Sequence, residues 1–166
     1  MAIQNRKKMK AKRWIGSVLL LLLFASCSTL PTYEKVYVFE NNQWDQSVKP
    51  QFVVSIDDTS KTYNFTLILR TTTDYAYSNL WVYLSTLTPD KQRSREPFEI
   101  KITDANGAWI GKKTGSIVEH SIHFTNRKLP AKGNYVFTLE QGITQSTINQ
   151  VLDVGMEVTE FSENKE

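Results

Sequence analysis

A single cysteine in 166 residues excludes two kinds of chemistry at once. Cys27 has no partner for an intramolecular disulfide, so the folded part must draw its stability from an apolar core. A lone thiolate also cannot build a cysteine-based zinc site, whose spacing motifs need several. Acidic residues are missing too: none precedes Glu34. Six of the 20 basic residues and none of the 17 acidic ones lie in residues 1–26, which takes residues 27–166 from the chain's +3 to −3. What remains has no basic stripe of the kind a nucleic-acid partner requires. There is no apolar run of the ~20 residues that a spanning helix needs. There is no internal repeat and no low-complexity segment. Residues 27–166 suffice for one domain with a real core and leave no room for a second.

What is present begins with the context of that cysteine. Arg6, Lys7, Lys8, Lys10, Lys12 and Arg13 precede the short apolar stretch Val18–Phe24, and Ala25, Ser26 and Cys27 follow it. A basic start, an apolar stretch and small residues before a cut form an export signal. With the cysteine just after the cut, the pattern resembles a bacterial lipoprotein signal with its lipobox, although Phe24 stands where leucine is usual. The resemblance implies cleavage between Ser26 and Cys27 and a lipid on the Cys27 thiol. The expected organisation is a signal over 1–26, a lipidated tether over 27–35, a β-domain over 36–159 and a flexible polar tail over 160–166.

From Val36 onward the pattern is strand-like. Tyr63, Phe65, Leu67 and Leu69 alternate with Asn64, Thr66, Ile68 and Arg70, the period of a half-buried strand. Phe98–Thr103 alternates as cleanly and ends in Asp104-Ala105-Asn106-Gly107, a turn signal. Further segments are Val36–Phe39, Phe52–Ile56, Leu80–Leu87, Ile117–Phe124, Tyr135–Glu140 and Val151–Val158. About eight strands separated by turns predict an all-β fold, a single antiparallel β-sandwich with a jelly roll as one form. A helix is conceivable only around Ile143–Gln150, and Thr144, Thr147 and Ile148 weaken it.

No nucleophile–base pair or metal set stands out, so neither catalysis nor a cofactor is expected. His120 and His123 are three apart, on opposite faces of a strand, and read as half-exposed residues that cannot share a metal. Thr114-Gly115-Ser116-Ile117 lacks the glycine that completes a nucleophile elbow. The acid pairs Asp57–Asp58 and Glu96–Glu99 sit beside turns, where acids are common without chemistry. The aromatic residues offer more. Trp81 and Tyr83, on one face of an apolar strand, are expected in the core or at a shielded edge. Trp44 and Trp109 are expected to close the ends of the sandwich. Tyr75 and Tyr77 lie in a polar connection and could be core or surface. Arg70 is expected to latch that connection through Asp74 or a backbone carbonyl. Together Arg70, Asp74, Tyr75, Tyr77, Asn79 and Trp109 form the candidate partner-binding set.

Several strings resemble the gliding motility lipoprotein GldH family: Asn41-Asn42-Gln43-Trp44, Arg70 through Leu80, Asp104 through Gly111, Gly133 through Phe137, and Leu152 through Met156. They run in this order behind the lipoprotein signal and span about Val36 to Val158. Ala76 replaces a frequent proline, and Ala108 a common lysine. The resemblance implies a cell-envelope lipoprotein linked to surface gliding and its secretion apparatus, with other envelope proteins as partners and the membrane engaged through Cys27. Because no acidic run follows the cysteine, the expected place is the outer membrane, facing the periplasm. Two rivals remain. A carbohydrate-binding lipoprotein would need Tyr75, Tyr77 and Trp109 in one flat exposed platform, and an envelope hydrolase would need two carboxylates converging in a cleft.

Overall fold

The computed structural model describes residues 31–162. Cys27, the expected signal, the tether's residues 27–30 and the tail's residues 163–166 lie outside the described residues. The strands are β1 (Tyr33–Val38), β2 (Gln43–Asp45), β3 (Gln51–Ile56), β4 (Thr62–Thr72), β5 (Asn79–Leu87), β6 (Arg93–Lys101), β7 (Lys112–Thr114), β8 (Ile117–Lys128), β9 (Gly133–Gln141), β10 (Thr147–Asn149) and β11 (Val151–Glu160). A 3-10 turn occupies Glu40–Asn42. The eight longer strands are those read from the sequence. The three-residue strands β2, β7 and β10 carry too short a pattern to be recognised. β1 starts at Tyr33, inside the stretch read as tether, and β11 runs to Glu160, the first residue of the expected tail.

A five-stranded sheet, ordered β1-β11-β4-β8-β7, faces a four-stranded sheet, ordered β3-β9-β5-β6. β10 and β2 pair separately, and every named strand pair is antiparallel. The fold is thus an all-β sandwich. Alternation decides which side chains face inward. Tyr63, Phe65, Leu67 and Leu69 of β4 are buried, as are Phe52, Val54 and Ile56 of β3 and Tyr135, Phe137 and Leu139 of β9. The two layers meet directly: the Phe65 and Phe137 rings lie 5.3 Å apart. Pro97 falls within β6, at the sheet edge where its missing N–H costs no ladder bond.

Turn chemistry matches the sequence. Asp58 accepts the Ser60 N–H at 2.9 Å. Asp104 accepts the N–H groups of Asn106 and Ala108 at 2.8 and 2.9 Å, with Gly107 at φ +81°. Trp44 is fully buried, stacked on Phe39 at 4.9 Å, and its indole N–H donates to the Val48 carbonyl. Trp109 packs against the core from the Asp104–Gly111 connection. Trp44 is thus part of the core and Trp109 packs against it.

The helix considered at Ile143–Gln150 does not form. Instead Ile143 N–H donates to the Gln141 side chain, and the Gln141 amide donates to the carbonyls of Gln145 and Ser146. One buried side chain satisfies the loop, and β-branched Thr147 and Ile148 pair as strand β10 with β2.

Candidate functional site

The connection between β4 and β5 is pinned by backbone hydrogen bonds, both local and from the segment after β6. Tyr75 N–H donates to the Thr72 carbonyl, and Ser78 carbonyl accepts from Ile102 and Thr103. Tyr75 points inward and is only 6% exposed, with its hydroxyl donating to the Asn79 carbonyl at 3.2 Å. Burial pushes its phenol far above the ordinary value, with Tyr77 adding to the shift. Tyr77 remains 42% exposed, edge-to-face on Tyr75 at 5.7 Å, and donates to Gln145 at 2.9 Å. Asp74 is exposed. Asn79 is turned to Glu99, to which it donates at 2.6 Å. The flat platform of Tyr75, Tyr77 and Trp109 is not formed, because Tyr75 belongs to the core and Trp109 is half-buried.

Arg70 does latch, but not to Asp74. Its Nε donates to Asp153 Oδ1 at 2.8 Å. Arg70 sits opposite Asp153 in the β4–β11 pairing, beside a register shift between Val151 and Asp153. That shift brings an acid from a distant strand to a position a local reading assigned to Asp74. The Asp153 hydrogen bond, and next its charge, hold the guanidinium above its ordinary value against the opposing effect of burial.

The largest correction concerns Trp81 and Tyr83. Leu80 and Val82 face the core, so Trp81 and Tyr83 lie on the outer face of the four-stranded sheet. Trp81 is 45% exposed. Arg95 of β6 lies 3.5 Å over the Tyr83 ring, a cation–π contact. Glu140 of β9, opposite Tyr83, accepts from Lys49 at 3.2 Å and from Arg95 at 3.5 Å. Burial pushes the Glu140 carboxyl up, but these cations outweigh it and hold the group below its ordinary range. Beside them runs an open groove of about 470 Å³ that includes Gln51, Ser85, Thr138 and Glu140. The strand is apolar at both phases, so periodicity alone could not assign its outward side. The charge alternation of Arg93, Arg95, Glu99 and Lys101 on its neighbour β6 was the available signal.

His120 and His123 do lie on opposite faces of β8, yet His120 is buried rather than half-exposed. Neither of its ring nitrogens has a hydrogen-bond partner, and burial depresses its pKa. His123 is exposed and lies 3.1 Å from the Thr66 hydroxyl.

The sequence profile of the family described as GldH lipoprotein matches residues 31–158. The chain is 25% identical over 153 residues to a gliding motility lipoprotein GldH homolog of Christiangramia forsetii, covering 87% of this chain and 92% of that one. It is 22% identical over 152 residues to the gliding motility lipoprotein GldH of Flavobacterium johnsoniae, covering 86% and 94%. Among solved structures it is similar to a family 35 carbohydrate binding module from Clostridium thermocellum, with a TM-score of 0.37, 13% identity, and coverage of 74% and 90%. It is also similar to the infectious bursal disease virus VP2 subviral particle, with a TM-score of 0.38, 11% identity, and coverage of 77% and 33%. Structural likenesses of this size carry no assignment.

Proposed function

The chain belongs to the GldH lipoprotein family, and from that premise we propose that it is a non-catalytic envelope component or assembly factor of the gliding-motility machinery and its linked secretion apparatus. The observation that carries the reading is the family match over residues 31–158, with relatives named for gliding motility aligned along most of their own length. In this reading a lipid on Cys27 holds the domain at the outer membrane, facing the periplasm. The domain then works by contact with other envelope proteins. Tyr77 and Asp74 are the exposed members of the candidate set and make that contact. Arg70, Tyr75, Asn79 and Trp109 hold the connection that presents them. Loops on a rigid scaffold suit such a role.

Two measurements on native membranes test the anchor and its orientation. Mass spectrometry should find a mature chain that begins at an acylated Cys27, whereas a chain beginning at Met1 contradicts the anchor. Protease added to intact cells should leave the protein whole, and rapid digestion without lysis contradicts the periplasmic face.

A second reading, a glycan-binding lipoprotein, is favoured by one observation: Trp81 stands exposed beside the Tyr83–Arg95 stack and the polar groove. Trp81→Ala separates the two. It should abolish retention on envelope polysaccharide if the second reading holds, and change nothing there if the first does.

A further inference from the structure

Burial along the inner faces of the sandwich is complete at one end and fails toward one corner. Leu80 and Val82 of β5, Ile100 of β6 and Val118 of β8 are fully covered. Further along the same strands, Leu84, Phe98, Ile122 and Phe124 are only half-buried. Twisted sheets stacked at an angle diverge at their corners, and here the divergence is left unfilled. An open pocket of about 360 Å³ enters between the layers here, lined by Phe65, Leu84, Phe124, Tyr135, Phe137 and Met156. It opens to solvent at the sandwich edge, and its volume falls within the ~300–1,000 Å³ range of small-molecule pockets.

Its rim is cationic for a traceable reason. The β4–β8 register shifts between Tyr63 and Phe65, and Asn126 adopts φ 53° at the bulge. The Asn64 side chain holds that bulge by accepting the Asn126 N–H at 3.0 Å. Plain alternation from Phe124 would turn residue 127 outward. The bulge instead sets Arg127 opposite Tyr63, whose ring is in the core. Directly opposed residues share a face, so Arg127 is carried to the cavity side; bulges re-aim side chains in this way. Lys128 lines the same rim. Among the described residues neither cation has an ion-pair partner, and Glu96 is the one acid lining the cavity.

We propose that this corner is a binding site for a free long-chain fatty acid, the acyl chain lying between the sheets and the carboxylate at Arg127 and Lys128. Its lining is mainly apolar, with Phe65, Leu84, Phe124, Phe137 and Met156, which suits an acyl chain. Its walls offer few polar groups, so the hydroxyls of a sugar would go unpaired there. The two cations complement an anionic head.

The test is photolabelling of the full chain in its own membranes with a diazirine-bearing pentadecanoic acid, followed by peptide mapping. The label should fall on β8 between Val118 and Leu129 and on the Met156 peptide. Unlabelled dodecanoate should compete, and dodecyltrimethylammonium should not. Arg127→Glu with Lys128→Glu, both at exposed positions, should lower labelling about tenfold or more, the scale of a lost charge-assisted bond. Thr86→Trp, at the half-exposed rim, should block the slot while leaving the melting temperature unchanged. Label confined to other surfaces, label undiminished by either variant, equal competition by the cation, or competition by anionic phospholipid vesicles but not by dodecanoate would each overturn the proposal.

Discussion

Gly111 has no room for a side chain. A Cβ there would lie 2.8 Å from His120 Nδ1 and closer still to the Glu119 carbonyl oxygen. Gly111→Ala should therefore cost about 1–3 kcal/mol, the usual penalty of overpacking, read as a lower urea midpoint with an unchanged slope. His120 itself gives a pH signature. Its folded pKa is depressed by burial, so the unfolded chain binds the extra proton. Stability should be full above the unfolded value of about 6.5 and decline as pH falls from there toward the folded value. His120→Phe should flatten that decline, and an unaltered pH profile would show that His120 does not cause it. Asp153 is 7% exposed and depends on Arg70. Arg70→Ala strands a nearly buried carboxylate and should cost about 1–3 kcal/mol, toward the lower end because Arg70 is itself partly solvated. Asp74→Ala should cost less than about 0.5 kcal/mol, which separates the observed latch from the local one.

The eight longer strands were legible because most of them alternate. β4 is the clearest case, with Tyr63, Phe65, Leu67 and Leu69 inward as the pattern requires. Legibility failed where alternation carried no sign. β5 reads apolar at both phases, and only the partner strands decide that Leu80 and Val82 go in and Trp81 out. It failed again where register slips. Alternation along β8 gives no sign of the bulge at Asn126; asparagine tolerates its φ of 53°, but the Asn64 side chain that accepts its N–H lies on another strand. The candidate site was legible only in part. A tyrosine in a polar segment can reach the core when the backbone turns beneath it, as Tyr75 does. The element-scale prediction follows from β5. Trp81→Ala should shift stability by no more than about 0.5 kcal/mol, whereas Leu80→Ala should cost about 2–5 kcal/mol. The reverse order in a denaturation series would mean that the strand's two faces are exchanged.

At the scale of the whole molecule, the chain is a β-sandwich of the GldH lipoprotein family. It is acidic beyond its first 26 residues, with Trp44 in its core and Trp109 packed against that core. Its role in the proposed account comes from location and contact. Acyl chains contribute about 0.8 kcal/mol per buried CH₂, so more than one chain on Cys27 would give stable anchoring. The central claim is that a lipid-anchored binding module serves gliding. The most direct test is the surface movement of single cells in which the native chain is replaced by Cys27→Ala or by Tyr77→Ala, each checked for accumulation and melting temperature. The account predicts that both variants fold and accumulate, that Cys27→Ala leaves the membrane fraction, and that both lose gliding. Full gliding with Cys27→Ala released from the membrane would contradict it.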